Sequence, residues 1–455
     1  MTDAVMPDVT GGIAALRAAE FSRLDAAGEV YADYTGSGLY PESLVARHAE
    51  RLARGIFGNP HSDNPASGRT TRMMEDAREA VLGFFDADPE RYLVIFTANA
   101  SAALKLVGEA WPFGPGSTFV LTVDNHNSVN GIRELAGGRG ARVVYLPIDD
   151  ELRIAGGVEA VPEPAGSGPH LFACPAQSNF SGVQHPLSLV ERAQAAGYDV
   201  LLDAAAFVPT NPLSLRRVSP EYVAISFYKM FGFPTGIGAL IAQREALARL
   251  RRPWFAGGTV DFVSVQNHMH ALTAGEPGFE DGTPDFLASA AVVDGLEFLR
   301  QVPMAAIHHH VAGLTGRLLE RLLALRHPGG APAVRIYGPA TMNDRGGTVA
   351  FNLLDPAGEV IAFDLVERSL GTRGISVRGG CFCNPGASEM AFHMDAVASR
   401  RCLESFAPGE FSLEKFAACM GMSTVGAVRV SLGLPSNDED VKRIVEALAE
   451  VGGAS

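Results

Sequence analysis

The sequence predicts an α/β protein: a mostly parallel, seven-stranded sheet flanked by helices, with a smaller α+β lobe after it. Three observations carry this. From residue 93 onward, short apolar runs of strand length alternate with helical patterns. Glycine or proline commonly punctuates the gaps. After about residue 290 the strand series thins and helical patterns dominate.

The strands follow in order. Residues 93–96 form a buried-strand candidate, and 100–110 carry apolar residues at helical spacing. A strand at 118–123 precedes a helix near 128–135, and further strands fall at 143–146, 171–174, 200–203, 223–227 and 238–242. In the last third, 288–300 and 311–325 read as helices, 348–353, 376–378 and 428–432 as short strands, and 439–451 as a closing helix. The expected division is a large lobe over 30–290 and a smaller lobe over 291–455 joined by 1–29. The run His308-His309-His310 is expected on a solvated helix face, because adjacent helical residues point in different directions.

Composition narrows the function. With 455 residues, 47% of them hydrophobic and 19% charged, the chain can fill a large core. A formal net charge of −14 disfavours a nucleic-acid backbone or an anionic membrane surface as partner. Neither an export signal at the N-terminus nor a membrane-length apolar run is evident, so a cytoplasmic location is expected. The five cysteines, Cys174, Cys381, Cys383, Cys402 and Cys419, are odd in number and cluster late, which reads as a reduced set.

The chemistry-bearing residues sit at predicted strand ends. Asp203 closes the run Val200-Leu201-Leu202, and Lys229 follows the strand at 223–227 and precedes the glycine-rich Phe231 to Gly236. Ligands of open α/β sheets bind at that carboxyl edge. A pyridoxal-5′-phosphate (PLP) enzyme needs a lysine to carry the cofactor and a carboxylate to keep its pyridine nitrogen protonated. The plain alternative is a turn-capping aspartate and a solvated lysine. Between a strand and a helix, Thr97-Ala98-Asn99-Ala100-Ser101 offers small residues, backbone N–H groups and the Ser101 hydroxyl to a phosphate. His126 follows the next strand and could stack on a flat ring, or be an ordinary loop histidine. Asn179 could bond a ring oxygen, or be a turn residue.

These residues lie within a longer set of motifs: Tyr31-Ala32-Asp33-Tyr34-Thr35-Gly36, Gly58-Asn59-Pro60-His61-Ser62, Pro175-Ala176-Gln177-Ser178-Asn179-Phe180-Ser181-Gly182, and Ser226-Phe227-Tyr228-Lys229-Met230-Phe231-Gly232. Phe279-Glu280-Asp281-Gly282-Thr283, Gly380-Cys381-Phe382-Cys383-Asn384-Pro385-Gly386 and Val428-Arg429-Val430-Ser431 complete it. The chain thereby resembles the class V aminotransferase group of fold-type I PLP enzymes, most of all the cysteine desulfurase-like domain of molybdenum cofactor sulfurases. The resemblance implies the fold-type I PLP-dependent transferase fold and a homodimer. By position, Lys229 is the implied cofactor lysine, Asp203 the pyridinium partner, His126 the stacking ring and Asn179 the amide near the ring oxygen. Ala100, Ser101 and Ser226 would line the phosphate, with Thr283 reaching the phosphate of a neighbouring subunit. Arg429 would bind the substrate carboxylate, a task that suits a guanidinium. Cys383 would accept sulfur from L-cysteine as a persulfide, leaving L-alanine.

The match has departures. Simple desulfurases carry a glutamine three residues after the pyridinium aspartate and a histidine before the lysine. Ala206 and Tyr228 stand at those positions, as in the sulfurase branch. Eukaryotic sulfurases continue into a MOSC domain, so the sulfur acceptor is expected to be a separate protein or a small metabolite. Two other readings stay open: another PLP reaction (transaminase, epimerase or C–S lyase) with Cys383 idle, or a non-catalytic partner that kept the fold. A metal site built on Cys381, Cys383 and Cys402 or His393 is not expected, because a lone C-x-C is poor evidence for zinc.

Overall fold

A computed structural model describes residues 12–454. Residues 1–11, most of the stretch read for an export signal, lie outside the described residues. Seven apolar runs form one sheet: β1 Tyr92–Thr97, β2 Thr118–Thr122, β3 Arg142–Leu146, β4 Leu171–Pro175, β5 Asp199–Asp203, β6 Tyr222–Ser226 and β7 Gly238–Gln243. Their order across the sheet is β1-β7-β6-β5-β4-β2-β3. Every pairing is parallel except those of β7, which runs antiparallel to both β1 and β6.

Parallel strands covered on both faces must be apolar throughout. β2, β4 and β6 are accordingly buried at every residue. One face packs against the helix Ala100–Ala110 and Trp111, the other against a larger core that reaches the C-terminal lobe. Asn99 caps Ala100–Ala110 by accepting the Ala102 N–H, and Asn64 caps Pro65–Phe84 by accepting from Ala66 and Ser67.

A second, antiparallel sheet orders Val334–Tyr337, Thr348–Leu353, Ala427–Ser431 and Arg378–Gly380. The N-terminal residues join this part of the molecule. Val30–Tyr31 pairs with Ile375–Ser376, and buried Arg17 bonds Asp440 at the start of the closing helix Asp438–Gly452. An Asn437–Asp440 capping box starts that helix. The helix Phe286–Arg300 crosses residue 290 and packs on Pro65–Phe84.

Sequence periodicity located all seven strands of the large sheet, and three expectations need correction. The expected helix at 128–135 is two short ones, Asn127–Asn130 and Ile132–Gly138, meeting at Gly131. The histidine run is not a solvated face. His308 Nδ1 meets Asn211 Oδ1 at 2.8 Å and His310 Nε2 meets the Ser436 carbonyl at 2.8 Å, leaving His309 as the exposed member. Neighbouring helical residues diverge by about 100°, so a helix edged by packed loops can turn two of three histidines inward.

The third correction concerns the cysteines. Cys402 and Cys419 form a disulfide between the helices Ala396–Ser405 and Leu413–Cys419, leaving Cys174, Cys381 and Cys383 free. The two half-cystines meet because both helices face a small apolar cluster with Phe416 and Val425. An antiparallel hairpin, Val260–Ser264 with Met269–Leu272, was also not anticipated; it stands apart from both sheets and exposes Phe262, Val265 and Met269.

Glu280 anchors the edge of the large sheet. Its carboxylate accepts the backbone N–H of Phe96 on β1 at 2.8 Å and both oxygens bond Arg78 at 2.8 Å, while only 7% of the residue is exposed. Burial pushes its pKa up, against the pull of Arg78. Removing one member of a buried pair strands the other charge. Arg78→Ala is expected to cost about 3–5 kcal/mol of folding stability, read from chemical denaturation, whereas exposed Arg133→Ala should cost less than about 1 kcal/mol.

Candidate active site

The carboxyl ends of β4, β5 and β6 open into a cavity of about 290 Å³, close to the lower bound of about 300 Å³ typical of ligand pockets. Asp203, Lys229, His126, Asn179, Ala100, Ser101 and Ser226 line it, together with Gln177, Ala206, Ser128 and Tyr228. Seven residues singled out from sequence therefore converge on one space. Arg429, Cys383 and Thr283 are not in its wall.

Each lining group is set by its element. Asp203 ends β5, and one carboxylate oxygen accepts the Ala205 N–H at 3.0 Å. Lys229 lies on the short helix Phe227–Phe231 directly after β6. That helix ends at Gly232 with φ +76°, where an added Cβ would collide with the backbone of Leu39 and Tyr40. Burial pushes the Lys229 amine below the ordinary lysine range, with Asp203 opposing the shift. A lysine so placed holds its proton less tightly, as a nucleophilic amine requires.

His126 caps the helix Asn127–Asn130. Its Nδ1 accepts the Ser128 N–H at 3.1 Å, so Nδ1 is unprotonated. Burial lowers the ring's pKa, which gives a neutral imidazole with its proton on Nε2. At the start of Ala100–Ala110, the Ser226 Oγ accepts the Ala100 N–H at 2.9 Å and the Ser101 hydroxyl meets that of Ser128 at 2.6 Å. Hydroxyls and a helix N-terminus together suit an anion.

Cys383 is exposed, in a loop that a hydrogen-bond knot fastens to the cavity wall. Phe382 and Cys383 both take φ of +56°, a costly region for side-chain-bearing residues. The buried Asn384 Nδ2 donates to the Asp124 carbonyl at 2.6 Å and to Asn179 Oδ1 at 2.9 Å. Asn179 Nδ2 in turn donates to the Phe382 carbonyl at 2.6 Å, and the Asn127 N–H to the Cys383 carbonyl at 2.8 Å. The neighbouring Cys381 differs: its sulfur accepts from the Ser388 hydroxyl at 3.2 Å, and burial pushes its thiol pKa up.

Arg429 sits behind this loop. It is 2% exposed, bonds Asp33 Oδ1 at 2.8 Å and the Asn179 carbonyl at 2.9 Å, and lies 4.7 Å from the Phe382 ring centre. Its Nε is buried without a partner. Thr283 is exposed and accepts from Asn59 Nδ2 at 3.1 Å. Sequence reading missed Asn384 as the tether of the loop and Asp33 as the partner of Arg429. Both lie inside quoted motifs, but nothing in a string reveals which side chains a motif residue meets.

The family model for aminotransferase class V matches residues 30–444. The chain belongs to the class V aminotransferase family. Among its relatives, the molybdenum cofactor sulfurase of Bos taurus is 37% identical over 95% of this chain and 51% of its own length. That of Arabidopsis thaliana is 35% identical over 97% of this chain and 58% of its own length. The chain thus spans roughly half the length of these curated relatives. Among solved structures, a cysteine desulfurase from Thermococcus onnurineus NA1 superposes with a TM-score of 0.78 at 23% identity, covering 100% of both chains. The Escherichia coli cysteine desulfurase CsdA superposes at 0.74 with 22% identity, covering 96% of this chain and 98% of its own. The chain shares with these neighbours the fold-type I architecture of PLP-dependent enzymes.

The knot has a direct consequence. Asn384→Ala should release the loop, so that the Asn127 amide exchanges hydrogen about fivefold faster, one neutral hydrogen bond being worth about 1 kcal/mol. In the parent protein a thiol reagent should label Cys383 well before Cys381, as read by peptide mass.

Proposed function

We propose that this chain is a PLP-dependent cysteine desulfurase, converting L-cysteine to L-alanine and holding the released sulfur as a persulfide on Cys383 for an acceptor. One observation carries the reading: the cavity holding Lys229 and Asp203 is joined through Asn179 and Asn384 to an exposed cysteine. The wall fits the cofactor chemically, with a depressed lysine, a carboxylate on the strand next to that of Ser226 and its hydroxyl-rich helix start, and a neutral imidazole after β2.

When bound, PLP supplies an electron sink that stabilises negative charge on the substrate carbon bearing the amine. The chain's own residues do the rest. Lys229 would hold the cofactor covalently, and its Nζ would carry protons to and from the substrate. Asp203 would keep the proton on the pyridine nitrogen. The Ser101 and Ser226 hydroxyls at the start of Ala100–Ala110 would bind the phosphate, and His126 would pack against the ring. Asn179 links the cofactor's surroundings to the loop. In this reading the substrate carboxylate goes to Arg429, a guanidinium fixed behind the loop by Asp33 and the Asn179 carbonyl. The Cys383 thiolate attacks the substrate sulfur; the new S–S bond forms as the C–S bond breaks, and its electron pair returns to carbon, which is then protonated.

In this reading the protein works as a homodimer in the cytoplasm, with exposed Thr283 offered to the partner's phosphate. No helix among the described residues is long and apolar enough to cross a membrane. The similarity to molybdenum cofactor sulfurases favours a molybdenum cofactor as the ultimate sulfur destination.

Lys229→Ala should abolish the visible absorbance band of lysine-held cofactor. Cys383→Ala should retain that band, yet lose at least about a hundredfold in alanine formation from L-cysteine in the presence of an acceptor thiol. In the parent, the Cys383 peptide should gain one sulfur atom after exposure to L-cysteine without reductant. A keto acid as product, or sulfide release undiminished in Cys383→Ala, would instead mean a different PLP reaction.

A further inference from the structure

The cavity contains a polar side chain that the reading above leaves without a task. Gln177 follows β4, is 3% exposed, and lines the cavity beside Asn179 and Ala206. Its amide orientation can be deduced from its neighbours. Asn211 Nδ2 donates to the Phe207 carbonyl at 2.8 Å, and a carbonyl can only accept. Asn211 Oδ1 is therefore the acceptor for Gln184 Nε2 at 2.9 Å and for His308 Nδ1 at 2.8 Å. Gln184 Nε2 then donates onward to Gln177 Oε1 at 3.0 Å, and Asn211 Nδ2 reaches the same oxygen at 3.4 Å.

With its oxygen taken twice, Gln177 is left with a free Nε2 donor. Among the described residues no acceptor meets that nitrogen, and it is not among the fully enclosed unpartnered atoms, so it borders open space. The side chain cannot easily turn over. Gln177 and Gln184 face each other across an isolated antiparallel bridge, and Gly346 packs so tightly on Gln177 Oε1 that a Cβ there would overlap it.

Strand order says which part of the ligand this donor faces. Across the cavity the strand ends run β6, β5, β4: Ser226 and the phosphate-type helix start, then Asp203, then Gln177. A pyridoxal ring whose phosphate arm lies on the β6 side and whose nitrogen meets Asp203 turns its ring oxygen toward β4. Asn179, the other amide on that side, gives one Nδ2–H to the Phe382 carbonyl and has its oxygen taken by Asn384, which turns the amide toward the loop. We propose that Gln177 donates its Nε2–H to the ring oxygen of bound PLP, and that Gln184, Asn211 and His308 act as positioning residues that keep its amide facing inward. This rests on the cofactor reading above, and it gives one member of the histidine run a task.

The test is an absorbance titration of PLP-loaded protein against pH, with PLP affinity measured by dialysis. In the parent, the lysine-held cofactor should show a band whose pH midpoint can be read. In Gln177→Leu the ring oxygen loses a donor, keeps more negative charge, and grips the adjacent proton more tightly. The midpoint should rise by about one pH unit, with PLP bound about tenfold more weakly. His308→Phe, altered on a partly exposed helix face remote from the cavity, should raise the midpoint in the same direction by a smaller amount. A purely structural role would lower the unfolding temperature without moving either midpoint. An unchanged midpoint and affinity in Gln177→Leu would overturn the assignment; should that variant not fold, an unchanged midpoint in His308→Phe overturns it. A parent chain that takes up no PLP would instead overturn the cofactor reading itself.

Discussion

Arg378 and Arg429 are directly paired across two antiparallel strands of the smaller sheet. Like charges so placed repel, and the pairing holds because the Asp33 carboxylate lies between them. It bonds Arg378 through both oxygens at 2.6–3.1 Å and Arg429 at 2.8 Å. Asp33 comes from the N-terminal part of the chain, just past the strand Val30–Tyr31, and bridges to Ser431. One carboxylate thereby holds three distant segments together. Through Arg429 and the Asn179 carbonyl, the same ion cluster touches the loop that follows β4 of the large sheet.

The placement of the reactive groups descends from that cluster. Asn179 receives Arg429 on its backbone and Asn384 and Phe382 on its side chain. The exposed Cys383 is thus tied to a residue that lines the cavity, although the two are far apart in sequence. The Phe382 ring lies over the Arg429 guanidinium, which helps hold two consecutive residues at positive φ. A loop secured by side-chain amides rather than by a strand ladder can be released at modest cost. That suits the sulfur-carrying role proposed for Cys383.

The two free cysteines of the pair show how neighbours in sequence acquire different chemistry. Cys381 packs against the cluster around Phe416 and Val425, and burial raises its thiol pKa. Cys383, two residues on, is exposed. The disulfide at Cys402–Cys419 closes the helical excursion that supports this cluster from the other side.

Strand periodicity in the string determined the seven strands of the large sheet, because strands buried on both faces must be continuous apolar runs. Asp203 and Lys229 were legible for the same reason: each directly follows such a run, at the edge where α/β sheets bind ligands. Seven of the residues singled out converge on one cavity because strand ends are neighbours by construction. What depended on contacts between distant segments was not legible. The Cys402–Cys419 bond, the inward turn of His308, the Asp33 cluster and the orientation of the Gln177 amide all depend on which side chains meet once the lobes pack. Sequence spacing fixes the face of a strand or helix, but hydrogen-bond direction and charge pairing are settled only by the partner across the fold.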